Sequence, residues 1–205
     1  MTAIAAQRWG WTPLMFTAVI ASAWLYNRGV SWSAGLFLCC CLGLPWLDGR
    51  RWLQQGGLHV ALAWRRAGWG IALAVAAGAV LAALFLAARQ GYGLGVFLDY
   101  AVSYPGGLVQ RLTLVTMLAL AEEFFFRGYL QESVGASLWG EQGWGLLTRK
   151  NLFAALLFAL AHLVGQPLLV VPGHVLSGLA LGWLVERSRG SIWPAVLLHT
   201  LTNLV

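Results

Sequence analysis

Two adjacent carboxylates, Glu122 and Glu123, stand inside an otherwise apolar run of the sequence, followed by three phenylalanines and Arg127. An ionised side chain at the centre of a membrane helix costs at least about 2.5–3.5 kcal/mol, so such residues usually serve a function. Glu123 and Arg127 are four positions apart on one helix face and are predicted to pair, whereas Glu122 points about 100° away. The alternative is a charge cluster that closes the end of a helix.

Two later apolar runs also carry polar side chains. His162 follows Phe158 by four residues, and His199 and Asn203 lie four apart on one face of the last run. At 1.5 Å per residue, Glu122, His162 and His199 each lie about 12–16 Å from one end of their helices. In a hydrocarbon core about 30 Å thick they can therefore form one site. Each polar group can instead be a hydrogen-bonding contact between helices.

A buried carboxylate, two histidines and an amide suit peptide hydrolysis. The glutamate can act as general base on water, one histidine can share the proton, and His and Asn donors can stabilise an oxyanion. The same Glu122, His162 and His199 can also hold zinc with one open position. Spacing does not separate these possibilities, because the sequence has no His-Glu-x-x-His motif.

The composition indicates that these residues lie in a membrane. Hydrophobic residues make up 60% of the 205, charged residues only 10%, and there are 12 tryptophans. The mean hydropathy is +0.72. This composition excludes a soluble enzyme. The net charge of +6 comes from short basic clusters between apolar runs, so we attribute it to membrane orientation and expect no nucleic-acid partner.

The apolar runs predict an all-α fold, a polytopic transmembrane helix bundle of about seven spans, because lipid requires backbone polar groups to be satisfied within a helix. The whole chain, residues 1–205, is predicted to form a single integral membrane domain. The mixed stretch Trp52–Trp64 is expected to lie along the interface. The small-residue pattern Ala21–Ala23 leaves a signal peptide as the alternative for the first run. The runs are Trp11–Tyr26, Trp32–Leu47, Ala67–Ala88, Leu112–Phe126, Leu152–Val164, Leu168–Val185 and Ile192–Val205.

Basic residues between the runs predict the orientation. Arg50, Arg51, Arg65 and Arg66 mark the loop after the second run as cytoplasmic. Counting outward from this loop puts the N-terminus inside and the C-terminus outside.

Two features of the sixth run lie outside the polar patterns described above. Gly178 and Gly182, four apart, are predicted to let this helix approach a neighbour closely. His174 follows Pro172 and Gly173, and we interpret it as a packing residue or one adjacent to substrate.

Three sequence blocks together resemble one protein family. The patterns E-E-x-x-x-R, F-x-x-x-H and H-x-x-x-N occur in this order on three hydrophobic segments. The chain thereby resembles the CPBP family of intramembrane proteases, which includes CAAX-prenyl endopeptidases and bacteriocin-processing or immunity proteins. The resemblance covers about residues 112–205, while residues 1–107 match only as hydrophobic helices. The blocks are EEFFFRGYLQ (Glu122–Gln131), FALAH (Phe158–His162) and GLALGWLVERSRGSIWPAVLLHTLTN (Gly178–Asn203).

The resemblance implies an intramembrane endopeptidase. Glu122 and His162 would activate the water, and His199 and Asn203 would form the oxyanion hole. The family is now usually viewed as metal-free and glutamate-type, so no cofactor is expected. A zinc-dependent version is the alternative, and it would use Glu122, His162 and His199.

The same resemblance implies structural roles for the remaining motif residues, Glu123, Arg127 and Phe158. The compact chain resembles the bacterial branch of the family, which implies location in a bacterial inner (cytoplasmic) membrane. The expected substrate is a membrane-anchored protein or peptide, cut for example at a C-terminal anchor or sorting segment. The alternative from another class is a non-proteolytic membrane immunity or binding protein that keeps the motif as a polar core.

Overall fold

The computed structural model describes residues 11–29, 33–47, 57–91, 108–164 and 166–204. This part of the chain is mostly helical, as its composition predicts. The α-helices are α1 (Thr12–Asn27), α2 (Ser33–Leu47), α3 (Gly57–Ala61), α4 (Trp64–Gly91), α5 (Leu108–Glu123), α6 (Ala136–Trp139), α7 (Arg149–His162), α8 (Val171–Arg187) and α9 (Trp193–Leu204).

The predicted apolar runs fall on helices of the structure. Among the described residues, two helical segments are long and apolar enough to cross a membrane: Trp64–Leu84, with a mean hydropathy of 2.0, and Leu168–Arg187, with 1.9. The second of these begins with a short 3₁₀ turn before α8. These segments agree with a helical membrane protein, and the count of about seven spans stays a prediction.

Several sequence-based expectations concern residues outside the described ranges. The first part of the expected interfacial stretch, residues 52–56, is one of these, and the stretch is described only from α3 onward. The loop arginines Arg50 and Arg51 and the C-terminal Val205 also lie outside the described residues.

Helix α5 continues without interruption into a π-helix, Phe124–Gly135, and then into α6. The predicted run ended at Phe126, because polar residues such as Gln131 follow it. In the structure almost every residue of the π-helix is buried, and Gln131 Nε2 donates to the carbonyl of Gly182 at 3.0 Å. The polar side chain of Gln131 therefore has a hydrogen-bond partner inside the protein. The wide turn of a π-helix is rare and is often found at functional sites.

A two-stranded antiparallel hairpin, β1 (Gly143–Trp144) and β2 (Leu147–Thr148), departs from the predicted all-α fold. Its turn begins at Gly145, whose φ of 62° glycine adopts without steric cost. Lys150, just after β2, is buried and lies 2.6 Å from Glu141 and 3.2 Å from Glu132. Burial alone would lower the pKa of Lys150, but the two carboxylates outweigh it and raise this pKa. The ion pairs hold the hairpin against the π-helix.

Helices α7 and α8 pack closely through small residues. A Cβ atom at Gly178 would lie 3.1 Å from the Cα of Ala155, and one at Gly182 would overlap the side chain of Asn151. The close approach predicted for the two glycines is thus confirmed. It sets α8 against α7, the helix that carries His162 at its end.

The N-terminal helices pack against the C-terminal half. Helix α1 packs on α2, α2 contacts α5 and the π-helix, and α4 packs on α9. Phe16 of α1 meets Phe126 edge-to-face with ring centroids 6.4 Å apart, and Phe126 meets Phe158 of α7 at 5.2 Å. Helices α1 and α7 thus both pack against Phe126 of the π-helix.

Candidate active site

The last turn of α5 directs Glu122 and Glu123 to different surroundings. Glu123 is fully buried, whereas the side chain of Glu122 is 17% exposed and lines a cavity. The Oε2 atom of Glu122 is itself buried and has no hydrogen-bond partner in the described part of the chain. The divergence predicted from helical spacing is present, and it leaves one carboxylate oxygen of Glu122 available for a further ligand.

Glu123 contacts two cationic or potentially cationic side chains. Its Oε2 lies 3.4 Å from Nε of Arg127, so the predicted pair is confirmed, and its Oε1 accepts a hydrogen bond of 2.8 Å from Nδ1 of His199. Arg127 is fully buried, and its guanidinium carbon lies 4.8 Å above the ring of Phe158. Through these contacts Glu123 joins α5 to α9, and Arg127 joins the π-helix to α7.

His199 lies between the two carboxylates. Its Nε2 is 3.8 Å from Oε2 of Glu122, which is too long for a hydrogen bond but close enough for an ion pair. Because Nδ1 donates to Glu123, a neutral ring would carry no proton on Nε2. His199 can donate from both nitrogens only when it is doubly protonated.

His162 is oriented by the backbone of its own helix. Its Nδ1 donates to the carbonyl of Phe158 at 2.8 Å, because a carbonyl oxygen can only accept. The neutral ring then has its lone pair on Nε2. His162 lines the same cavity as Glu122, so an imidazole ring and a carboxylate border one space.

The cavity has a volume of about 120 Å³. A cavity needs about 10–15 Å³ to hold one water molecule, so several water molecules or a small side chain fit inside this one. Three of the four expected catalytic residues line it, and the fourth, His199, reaches it by its contact with Glu122. The lining residues are Val19, Ala23, Tyr26, Asn27, Phe37, Leu118, Glu122, Phe126, Ala161, His162, Gln166 and Asn203.

Asn203 lies at the mouth of this cavity. It is exposed near the end of α9, as is Asn27 at the end of α1, and Gln166 follows the end of α7. The cavity therefore opens where α1, α7 and α9 end. The structure brings Glu122, Glu123, Arg127 and His199 into direct contact, and gathers His162 and Asn203 around the cavity.

Sequence reasoning left His174 between two interpretations and missed Tyr26 and Asn27. His174 stacks on His162 with ring centroids 4.2 Å apart, and a hydrogen bond joins it to Gln166. His174 thus packs beside a candidate catalytic residue, and its contact with substrate stays a prediction. Its position as the lone polar ring of an apolar run was the available signal. Tyr26 and Asn27 carried no such signal, because polar residues commonly end a membrane helix.

The zinc alternative was tested on the donor groups. Among the described residues, no group of three or more His, Cys, Asp or Glu side chains is arranged to hold a metal ion. The Nδ1 atoms of His162 and His199 bond to the carbonyl of Phe158 and the carboxylate of Glu123, which leaves Nε2 of each ring as the nitrogen that could bind a metal. The metal-free mechanism stays a proposal, with zinc as its alternative.

The chain was compared with known proteins. The family model for the Rce1-like type II CAAX prenyl endopeptidases matches residues 104–205, about half of the chain. No curated protein and no solved structure matches. The matched range contains the residues of all three sequence patterns. Since the family consists of peptidases, the match supports an enzyme over the non-proteolytic alternative.

Proposed function

This chain belongs, through residues 104–205, to the type II CAAX prenyl endopeptidases, which are intramembrane proteases that act on membrane-anchored proteins, and from this premise we propose its mechanism and its class of substrate. The proposed reaction is hydrolysis of a peptide bond by a water molecule that Glu122 and His162 activate. The observation that carries this proposal is that Oε2 of Glu122, which accepts no hydrogen bond from the described residues, belongs to a side chain that lines the same cavity as His162.

In the proposed reaction, water occupies the cavity between the carboxylate of Glu122 and Nε2 of His162. One of these groups accepts a proton as the water oxygen attacks the carbonyl carbon of the substrate. The proton then moves to the departing amine nitrogen, and the C–N bond breaks. General acid–base catalysis of this kind contributes typically about 10²–10⁴-fold to the rate.

The negative charge that develops on the carbonyl oxygen of the substrate is stabilised by hydrogen-bond donors. The amide of Asn203 supplies N–H groups at the cavity mouth, and His199 supplies a second donor from Nε2 when its ring is doubly protonated. Glu123 supports this role, because its carboxylate accepts a hydrogen bond from the N–H at Nδ1 of His199 and so orients Nε2 towards the reaction space. Arg127 and Phe158 hold Glu123 and α7 in place.

The proposed substrate is a membrane-associated protein or peptide, cut at an apolar C-terminal anchor or sorting segment. Half of the residues that line the cavity are apolar, which supports an uncharged segment that enters laterally from lipid. We assign the enzyme to the bacterial branch and to the inner membrane, with about seven spans, the N-terminus inside and the C-terminus outside. The arginines of the loop after the second run support this orientation.

The test uses the purified full-length chain in lipid nanodiscs and a set of internally quenched peptides, each with an uncharged scissile region and a short apolar tail. Wild type is expected to cleave at least one peptide at a single bond, identified by mass spectrometry. Glu122→Gln and His162→Ala are each expected to lower kcat/KM at least about 10²-fold. His59→Ala is the matched control for His162→Ala, because His59 is exposed.

Two outcomes would overturn the proposal. If folded Glu122→Gln cleaves as fast as wild type, the assigned roles are wrong. If the active protein contains one zinc per chain, and if chelation abolishes activity and added zinc restores it, the metal-free mechanism is wrong.

A further inference from the structure

Two segments that are distant in the sequence meet where α9 begins, at the end of this helix opposite the cavity mouth. The backbone N–H of Ile192 donates to the carbonyl of Ala61 at 3.0 Å, and Nη1 of Arg66 donates to the carbonyl of Arg189 at 3.5 Å. These contacts hold the start of α4 beside the turn between α8 and α9. The two segments together contribute four arginines: Arg65, Arg66, Arg187 and Arg189.

The side chains of these four arginines are all exposed. None of them lies within ion-pair distance of a carboxylate in the part of the chain that the structure describes. Two carboxylates of the same end have other partners, because Glu132 pairs with Lys150 and Glu186 accepts a hydrogen bond from Thr148. The four positive charges are therefore available to an anion that does not belong to this chain.

The backbone of the turn between α8 and α9 holds an arginine in a conformation that favours glycine. Arg189 has a φ of 55° and is the one non-glycine residue with a positive φ among those described. Its N–H donates to the carbonyl of Glu186 at 3.1 Å, and that of Gly190 donates to the carbonyl of Val185 at 2.9 Å. This is the Schellman motif, whose left-handed position is usually glycine. An arginine at a strained position points to a function of its side chain.

Tryptophans surround the arginines and indicate their depth in the membrane. The guanidinium carbon of Arg187 lies 5.5 Å over the ring of Trp183, and Trp183 meets Trp69 of α4 edge-to-face with ring centroids 6.2 Å apart. Trp64 and Trp69 are exposed, and the apolar segment Trp64–Leu84 begins here. Tryptophan rings are enriched at the level of lipid headgroups. An anion at this level is more readily supplied by a lipid than by the solvent.

We propose that the four arginines form a binding site for the phosphate group of an anionic phospholipid. A guanidinium group can donate two parallel N–H groups to the oxygens of one phosphate, so it binds this group with defined geometry. With the N-terminus inside, the site faces the cytoplasmic leaflet, whose surface is negatively charged. A lipid bound there would link α4 to α8 and α9. This site lies apart from the cavity, and its occupation does not depend on the proposed reaction.

The experiment measures the binding of phosphatidylglycerol and of phosphatidylcholine to the purified full-length chain in a neutral detergent by native mass spectrometry. Wild type is expected to bind phosphatidylglycerol at least about tenfold more tightly. The double variant Arg65→Gln/Arg187→Gln, with one change in each segment, is expected to weaken this binding about 25-fold, or about fivefold for each arginine. Phosphatidylglycerol should also raise the unfolding midpoint of wild type but not of the double variant.

Arg28→Gln is the matched control. Arg28 is exposed and also lies over a tryptophan, 5.1 Å from the ring of Trp24, but it follows the end of α1 near the cavity mouth. It is expected to bind phosphatidylglycerol as wild type does. If the double variant also binds like wild type, or if Arg28→Gln weakens binding as much as the double variant, the site assignment is wrong.

Two further arms distinguish the source of the anion. If inorganic phosphate alone raises the unfolding midpoint of wild type as far as phosphatidylglycerol does, the site binds a soluble anion and the lipid assignment is wrong. If a poly-glutamate peptide binds wild type more tightly than phosphatidylglycerol does, and the double variant loses this binding, the arginines recognise an acidic protein segment instead. All variants are changed at exposed positions, and equal unfolding midpoints without lipid confirm that they are folded.

Discussion

Arg127 is a fully buried cation within ion-pair distance of the Glu123 carboxylate. Its Nε lies 3.4 Å from Glu123, and none of its guanidinium nitrogens has a hydrogen-bond partner in the described part of the chain. Glu123 is equally buried and also serves His199. Arg127 therefore compensates the negative charge of Glu123, the residue that links α5 to His199 of α9.

We predict that Arg127→Ala destabilises the protein by about 3–5 kcal/mol, because removing one partner of a buried ion pair leaves the other charge uncompensated. The loss would appear as a lower midpoint of thermal unfolding in detergent, followed by tryptophan fluorescence. Arg65→Ala, at an exposed position of α4, is expected to change stability by less than about 0.5 kcal/mol. Equal midpoints for the two variants would contradict a structural role for Arg127.

The chemistry of individual residues explains which parts of the site the sequence could predict. Glu122 and Glu123 stood out because charges in apolar runs are costly, and the i, i+4 spacing was sufficient to pair Glu123 with Arg127. His174 was harder to assign. Its contact with His162 depends on how α8 packs against α7, and neither helix alone contains that information.

At the level of helices, the contact between α7 and α8 depends on the lack of a side chain at Gly182. Gly182 allows Asn151 and Gln131 to reach the backbone of α8, where Asn151 Nδ2 donates to the carbonyl of Leu179 at 3.0 Å. A Cβ atom at position 182 would overlap both amide side chains. The hydrogen bonds between α7, the π-helix and α8 would then have to shift.

Gly182→Ala is expected to destabilise the protein by about 1–3 kcal/mol, as overpacking does in other cores. The same substitution at Gly173, also in α8, meets no atom within 4 Å. Gly173→Ala should therefore stabilise the helix by about 0.5–1 kcal/mol. Unfolding midpoints of both variants check the prediction, and a loss of equal size at position 173 would show that the contact at position 182 is not the cause.

Two elements could not be predicted from hydropathy. Arg127 and Gln131 interrupt the apolar pattern of the π-helix, so the sequence indicates that a membrane helix ends there. In the structure Arg127 instead lies beside Glu123, and Gln131 donates to the carbonyl of Gly182. The hairpin is too short to show the alternation that predicts a strand. Both depend on tertiary contacts, including the ion pairs of Lys150 with Glu132 and Glu141.

For the whole molecule, the position of the cavity mouth can be tested together with the orientation. The mouth lies where α1 and α9 end, and the hairpin lies at the other end of α7. With the N-terminus inside, the mouth faces the outside and the hairpin faces the cytoplasm. In a chain with Cys39, Cys40 and Cys41 changed to alanine, Asn27→Cys should react with a membrane-impermeant thiol reagent added outside intact cells.

Glu141→Cys, in the exposed loop before the hairpin, should react only after the membrane is opened. Reporter fusions after Val205 and within residues 51–65 provide an independent measurement, outside and inside respectively. Labelling of Glu141→Cys from the outside would mean that the orientation predicted from the loop arginines is inverted.

The packing of the two halves was beyond prediction from the sequence. Tyr26 and Asn27 end the first helix as interfacial residues do in many membrane proteins. Only the assembled bundle brings them to the cavity that Glu122 lines. Periodicity along one helix indicates a face, but it does not identify which distant helix that face contacts.

The cavity is lined both by residues inside the range matched by the family and by residues of α1 outside it, which has a consequence for inhibitor design. A compound that engages only Glu122 and His162 uses groups that belong to the patterns of the whole family. Additional contact with the face of α1 around Ala23 would use residues outside the matched range. Selectivity for this enzyme over its relatives should therefore come from the substituent that reaches α1, while potency comes from the group that binds in place of the water.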